Sequence, residues 1–288
     1  MNRMKKIIKR LASSRLRPLF KMIYCFIVRA EYRLLNFKYI LQGCKKPAKE
    51  ECRHVCENVT FLYKSFERQK LAKQLCKNIH RYYPNAEIII ADDSRKPLHF
   101  KEDHVKIIHL PFNSGVSRGL NQALSAVKTP YVVKLDDDIL LTRKTDIHGQ
   151  LKFLEENNAV DLIGFGWVNA PKCLPPIHNA RQYFKITYNK PLLLPHMTKL
   201  DGSHIVVAKS QNTYLARTDK IRLIGWDDNI RMIDHNEFFY RAAGVIVSVI
   251  APEAALFHRH NPFEGEYTKY RGDYLGDLVY IRKKHSKK

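Results

Sequence analysis

Residues 129–138 read Thr-Pro-Tyr-Val-Val-Lys-Leu-Asp-Asp-Asp. Thr129-Pro130 stops whatever precedes it, and Tyr131–Leu135 is a β-branched and aromatic run of strand length that ends directly in Asp136, Asp137 and Asp138. The same arrangement occurs upstream, where Ile88-Ile-Ile-Ala91 runs into Asp92-Asp93-Ser94. Ligands of an open parallel sheet bind beyond the carboxyl ends of its strands. If the two strands are parallel neighbours, five carboxylates converge on one rim. Crowded carboxylates repel and raise one another's pKa unless a cation joins them, and Mg²⁺ or Mn²⁺ suits carboxylate, phosphate and water oxygens. The plainer alternative is a pair of solvated strand-to-loop turns, which aspartate favours. Three consecutive aspartates after a buried strand in a cation-rich chain fit the cation reading better.

Working outward, Val59–Tyr63 reads as a first strand. Leu71, Ala72, Leu75, Cys76 and Ile79 then recur at helical spacing until Pro84-Asn85. Val105–Leu110 is a further strand, and Val116, Leu120, Ala123, Leu124 and Val127 form a second helical stripe. Strands alternating with helices over short joints predict an α/β fold, a mostly parallel sheet flanked by helices. Residues 166–203, with five prolines, read as a long irregular excursion. Strand character resumes at Ile205–Ala208 and Thr213–Ala216, followed by a helix from about Asp234 and a strand at Val245–Ile250.

Three further segments carry candidate chemistry. Asn113-Ser-Gly-Val-Ser-Arg-Gly-Leu-Asn121 is a glycine-containing turn opening a helix, whose N-terminus can hold phosphate with Arg118 in reach; it is also simply a good turn. On a helix start, Asp234 and Glu237 lie at i and i+3 and share a face. They suit a general base, or merely acids favoured by the helix dipole. Phe257-His258-Arg259-His260 follows an apolar stretch and can offer an imidazole to a metal.

The composition of the 288 residues, 45% hydrophobic and 27% charged, excludes collagen-like, low-complexity and wholly disordered chains. The net charge is +22, and residues 1–50 hold +12 of it, with fourteen Lys or Arg against Glu31 and Glu50. A basic arm, residues 1–56, thus precedes a more ordinary domain at 57–288, divided at 57–140, 141–265 and a basic tail at 266–288. The apolar stretch Leu19–Val28 is too short to span a bilayer, is broken by Lys21 and has no cleavage site after it. It suits an interfacial helix on an anionic membrane surface, or a helix packed on its own domain. No nucleic-acid reader motif is recognisable, so nucleic acid is not expected as a partner. Of six cysteines, Cys52 and Cys56 have near zinc-like spacing without a second pair, and Cys76 falls on an apolar stripe. Asn58-Val-Thr60 fits a glycosylation acceptor but opens an apolar strand.

Val59–Tyr63, Ala91–Ser94, Asn113–Asn121, Thr129–Val133 and Asp136–Asp138 together resemble the nucleotide-sugar half of GT-A glycosyltransferases. Asn212–Asp219, Gly225–Asp227 and Asp234–Phe239 resemble the acceptor half of the ganglioside-type β-1,4-N-acetylgalactosaminyltransferases, and the family 2 glycosyltransferases share the plan more loosely. The resemblance spans about residues 58–262. It implies that Asp92 or Asp93 touches the uridine, that Asp136 and Asp137 serve the nucleotide, and that Asn113, Arg118 and Asn121 line the donor. It also implies that Asp138, with Asp136, binds Mn²⁺ or Mg²⁺, joined by His258 or His260. The family's acidic run is Glu-His-Glu-Asp; here it is Asp234-His-Asn-Glu237, which leaves the base open between Asp234 and Glu237, with His235 behind them. The implied reaction is inverting transfer from a UDP-sugar to a glycan or glycolipid hydroxyl, as in capsule, lipopolysaccharide or glycolipid assembly. The donor is UDP-GalNAc by the nearest resemblance, although UDP-GlcNAc, UDP-Gal and UDP-Glc use the same parts. The expected location is the cytoplasmic face of a membrane, or alternatively the Golgi lumen with an anchor. A metal-dependent nucleotidyltransferase and a non-catalytic polyanion-binding protein are the competing classes.

Overall fold

Strand β1 (Val59–Ser65) alternates its side chains between two layers: Val59, Phe61 and Tyr63 enter one hydrophobic cluster and Leu62 the other. This two-residue period puts an apolar surface on both faces, and helices cover each. The computed structural model describes residues 14–172, 190–259, 261–270 and 274–286. In chain order the elements are α1 (Arg17–Leu41), α2 (Lys49–Asn58), β1, α3 (Gln69–Tyr82), β2 (Glu87–Asp92), β3 (Val105–His109), α4 (Val116–Ser125), β4 (Tyr131–Asp136), β5 (Ile139–Leu140), α5 (Ile147–Glu156) and β6 (Leu162–Ala170). They continue with β7 (Ile205–Val206), β8 (Tyr214–Arg217), α6 (Thr218–Ile224), α7 (Asp234–Ala242), β9 (Ser248–Arg259), α8 (Gly265–Tyr270) and α9 (Leu275–His285).

The strands form one nine-stranded sheet in the order β3-β2-β1-β4-β8-β6-β9-β5, with β7 also on β9. The half read from the strand–helix alternation is parallel, with β1 between β2 and β4. Ser65 lies opposite Asp92 and Lys64 opposite Asp136, so both aspartate clusters emerge at the same rim, either side of the end of β1. Beyond β4 the sheet turns mixed: β8 runs antiparallel to both β4 and β6, while β6 and β9 are parallel. Helices α2, α3 and α5 pack one face, through Val55, Leu75, Ile79 and Leu151 among others. Helices α4, α6 and α7 pack the other, through Leu120, Ile221, Phe238 and Phe239. Cys76 lies in the first core, as its stripe implied.

Two differences from the sequence reading have physical causes. Strand β6 runs to Ala170, so the irregular stretch starts later than residue 166; residues 173–189 of it lie outside the described residues. Strand β9 runs on through Pro252, where a register shift between Phe165 and Gly166 makes room. A Cβ at Gly166 would stand 2.1 Å from the Pro252 carbonyl oxygen, so the bulge depends on glycine.

Helix α1 is docked along the sheet's β5–β9 edge, its Tyr24 and Val28 clustered with Phe257 and Phe263. Arg17 Nη2 donates to the Phe263 carbonyl and Tyr32 Oη to the Leu141 carbonyl, each at 2.8 Å. Among the described residues no helix is long and apolar enough to cross a membrane.

Candidate active site

Two lysines emerge from apolar strands beside the aspartates. Lys64 donates from Nζ to Asp93 Oδ1 at 2.5 Å, and its stem lies against Gly119, where a Cβ would come within 2.9 Å of Lys64 Cδ. Asp93 Oδ2 accepts the Gly115 N–H at 3.1 Å, tying β2 to the start of α4. Burial pushes Asp93 up, against the pull of Lys64. Asp92 turns inward instead: its carboxylate accepts Ser94 Oγ and the Leu98 N–H, both at 2.7 Å, and so builds the loop. Phe66, Phe112 and Tyr270 form an aromatic trio with centroids 5.4–5.8 Å apart, and Lys64 Nζ sits 4.9 Å from the Phe66 ring.

On the other side of β1, the buried Lys134 donates to Asp136 Oδ1 at 2.6 Å and to the Asn212 carbonyl at 2.8 Å. Arg68, at the start of α3, holds Asp137 bidentately, with Nε 3.1 Å from Oδ2, and reaches Asp138 Oδ2 with Nη1 at 2.9 Å. Its guanidinium lies 3.8 Å from the Tyr267 ring centroid. Arg259 Nη2 donates to the Asp137 carbonyl at 3.1 Å. The crowding foreseen from the sequence is therefore relieved first by the chain's own cations. Burial alone would raise Asp138, yet Arg68, with Arg259, holds it well below the usual carboxylate range; burial leaves Asp137 raised despite Arg68.

His258, on β9, faces Asp138 Oδ1 with Nε2 at 3.9 Å. Its Nδ1 lies 2.7 Å from the amide oxygen of Asn169, which can only accept, so Nδ1 carries the proton and Nε2 presents its lone pair. Burial lowers the His258 pKa and keeps the ring neutral, and Trp167 stacks on it at 4.4 Å. A carboxylate oxygen and an oriented neutral imidazole fit a divalent ion, with Asn169 as the outer partner. Among the described residues no three His, Cys, Asp or Glu gather at metal-binding distances. Such an ion would take its other oxygens from phosphate and water. His260 lies outside the described residues.

The two candidate bases part company on α7. Asp234 is 4% exposed, its Oδ2 accepts no hydrogen bond among the described residues, and Lys134 and Asp136 are near enough for their charges to act on it. Burial pushes Asp234 up to about 6, against Lys134 and with Asp136. Glu237 is instead engaged by Arg241 on its own helix and by the C-terminal helix α9. It accepts Arg241 Nε at 2.8 Å, Lys284 Nζ at 2.7 Å and His285 Nε2 at 3.4 Å, and these partners outweigh burial and lower its pKa. His235 Nε2 lies 2.8 Å from the Ser210 carbonyl. Asp277 of α9 accepts the N–H groups of Arg231, Met232 and Ile233 at 3.1, 2.7 and 3.2 Å and so sets where α7 begins.

The three donor-site candidates Asn113, Arg118 and Asn121 have different surroundings. Asn113 adopts φ +56° and its carbonyl accepts Arg231 Nη2 at 2.8 Å. Asn121 is a staple between halves: its amide donates to the Trp226 carbonyl and Asp228 Oδ1 at 2.7 Å, and accepts the Trp226 N–H at 2.9 Å. Arg118 is exposed on α4. Cys52 Sγ donates to the Tyr82 carbonyl at 3.1 Å, and its pair with Cys56 belongs to no metal cluster among the described residues. The sequence reading missed Lys64, Arg68, Lys134, Asn169 and Arg259. For Lys64 and Lys134 a signal existed, a lone cation inside an apolar strand next to acids.

The glycosyl transferase family 2 profile matches residues 62–200. β-1,4 N-acetylgalactosaminyltransferase 2 of Mus musculus is 31% identical over 235 residues, 77% of this chain and 45% of that protein. β-1,4 N-acetylgalactosaminyltransferase 1 of the same organism is 33% identical over 238 residues, 76% of this chain and 44% of that protein. The chain thus spans less than half the length of these relatives. Among solved structures, S. aureus TarS 1-349 is similar with a TM-score of 0.54 at 13% identity, covering 70% of this chain and 60% of that one. The same fragment in complex with UDP-GlcNAc aligns with the same TM-score. At that identity the likeness concerns the fold, and the fold is the expected GT-A type.

Proposed function

We propose that this chain, which carries a glycosyl transferase family 2 domain over residues 62–200, moves a hexose or N-acetylhexosamine from a UDP-sugar to a hydroxyl of a glycan or glycolipid. The observation that carries the reading is Asp234: a buried carboxylate with an unpartnered oxygen, within electrostatic range of the rim where Asp136, Asp137 and Asp138 emerge from β4. A pKa of about 6 leaves it ionised at neutral pH yet basic enough to accept a proton.

The acceptor hydroxyl gives its proton to Asp234 Oδ2 while its oxygen attacks the anomeric carbon. The bond from that carbon to the diphosphate oxygen breaks on the opposite face, which inverts the configuration and releases UDP. Protonation neutralises a carboxylate that burial already disfavours as an anion, so the transfer relieves a charge held at a cost. Asp93, fixed by Lys64 and Gly115, borders the uridine side beside the Phe66, Phe112 and Tyr270 rings. Arg68 orients Asp138 through one oxygen and leaves the other facing His258. A Mg²⁺ or Mn²⁺ held by Asp138 and His258 would act as a Lewis acid, neutralising the leaving diphosphate.

The donor sugar is proposed as GalNAc on the likeness to the two mouse transferases, and the nucleotide as UDP on the TarS complex with UDP-GlcNAc. The acceptor belongs to capsule, lipopolysaccharide or glycolipid assembly in this reading. Incubation with UDP-GalNAc, UDP-GlcNAc, UDP-Gal and UDP-Glc, with Mn²⁺ or Mg²⁺ and no acceptor, tests it. Slow UDP release from one preferred donor is expected. Release of pyrophosphate from a nucleoside triphosphate instead would make the chain a nucleotidyltransferase, and no turnover of any sugar nucleotide would remove the reading.

A further inference from the structure

Helix α1 is apolar on two sides. Its inner face, with Tyr24, Val28 and Tyr39 buried, is satisfied by the domain. Its outer face carries Leu19, Met22, Ile23, Phe26, Phe37 and Leu41, at spacings of three and four residues or their sums, and these are between 44% and 73% exposed. Monomeric proteins rarely leave such a contiguous stripe in water. Lys21, Arg29, Arg33 and Lys38 are also exposed on the same helix.

We propose that α1 lies flat on an anionic membrane surface, with this stripe among the acyl boundary and its cations against the headgroups. Charge selects the occupant. Residues 1–50 carry +12 of the chain's +22, so a second copy presenting the same face would be repelled. An anionic lipid surface supplies both an apolar layer for the stripe and negative charge for its flanks. The helix is held rigidly enough to matter: Arg17 and Tyr32 hydrogen-bond into the domain, and Tyr24 meets Phe263 edge-on at 5.7 Å. Phe257 and Phe263, against which α1 packs, flank His258 and Arg259 of the rim. The bilayer would therefore hold the rim at a set height, favouring an acceptor carried on lipid. That consequence rests on the transferase reading; the docking does not.

Flotation of the full chain with vesicles of phosphatidylcholine alone, or mixed with phosphatidylglycerol, tests this. Strong binding to the mixed vesicles is expected. Arg29→Gln with Arg33→Gln should weaken it about 25-fold, from roughly fivefold per cation. Met22→Glu with Phe26→Glu should weaken it by more than about tenfold. Both pairs are exposed, so unchanged circular dichroism and melting will show that each variant is folded. Absence of vesicle binding by the native chain would overturn the proposal. So would binding indifferent to Met22→Glu with Phe26→Glu, or a dimer in sedimentation that these substitutions abolish without any vesicle binding. UDP release without acceptor should be unaltered in Met22→Glu with Phe26→Glu; loss of that activity in the native chain counts against the transferase reading alone.

Discussion

Replacing Asp234 with asparagine separates catalysis from stability at one atom. The substitution keeps shape and removes the proton acceptor, so kcat for sugar transfer should fall by about 10²–10⁴-fold with UDP affinity unchanged. The same change should stabilise the fold. A carboxyl raised from 3.8 to about 6 means the native state binds the proton more tightly than the unfolded chain. Stability attributable to that group is present below pH 4 and is lost as pH rises through 6, amounting to up to about 3 kcal/mol at pH 7. Asp234→Asn removes that loss, so Tm at pH 7 should rise by several degrees while the difference from the native chain vanishes near pH 4. Glu237→Gln should do the reverse. It strips charge from a carboxylate bound to Arg241 and Lys284 and should cost about 1–3 kcal/mol, with kcat reduced only a few-fold. Steady-state kinetics and melting scans of both variants from pH 4 to 8 decide the matter. Native-like kcat in Asp234→Asn, or the larger kinetic loss in Glu237→Gln at unaltered Tm, would refute the assignment.

Asp138→Ala should abolish Mn²⁺-dependent UDP binding in isothermal titration, and Asn169→Ala, which frees the His258 ring, should weaken Mn²⁺ affinity by about 10–100-fold; unchanged metal dependence in Asp138→Ala would take that residue out of the site. Gly119→Ala puts a methyl against the Lys64 stem and should displace its ammonium from Asp93, raising KM for the donor while kcat holds, as initial-rate kinetics will show. Asp277→Ala leaves three backbone N–H groups ahead of α7 without their acceptor; amide exchange should quicken over residues 231–240 and kcat should fall more than KM rises.

Much of the fold was legible because β1, β2 and β4 are buried on both faces and read as short apolar runs, two of them running straight into aspartates. The two aspartate-bearing strands are not the parallel neighbours expected from the sequence; β1 stands between them, yet all three run parallel and deliver their carboxyl ends to the same side. Strand β6 was harder to see: Leu162–Ala170 holds two glycines and no alternation, and it becomes a strand only by pairing with β8 and β9. Strand β9 crosses a proline that sequence rules treat as an ending. At the site, i and i+3 spacing placed Asp234 and Glu237 on one helix face but said nothing of what each would meet. Glu237 meets Lys284, far along the chain on α9, and Asp234 lies near Lys134 on β4. Arg68 was invisible for the same reason, because its partners Asp137 and Asp138 reach it only once β1 and β4 are side by side.

A crystal grown with UDP and Mn²⁺ shows whether the rim beyond β1, β2 and β4 receives a sugar nucleotide. Difference density is expected for the ion between Asp138 and His258, with the diphosphate on it and the uracil near Asp93 and Phe66. Nucleotide density anywhere else on the molecule, or at the rim with the ion remote from Asp138, would contradict that placement.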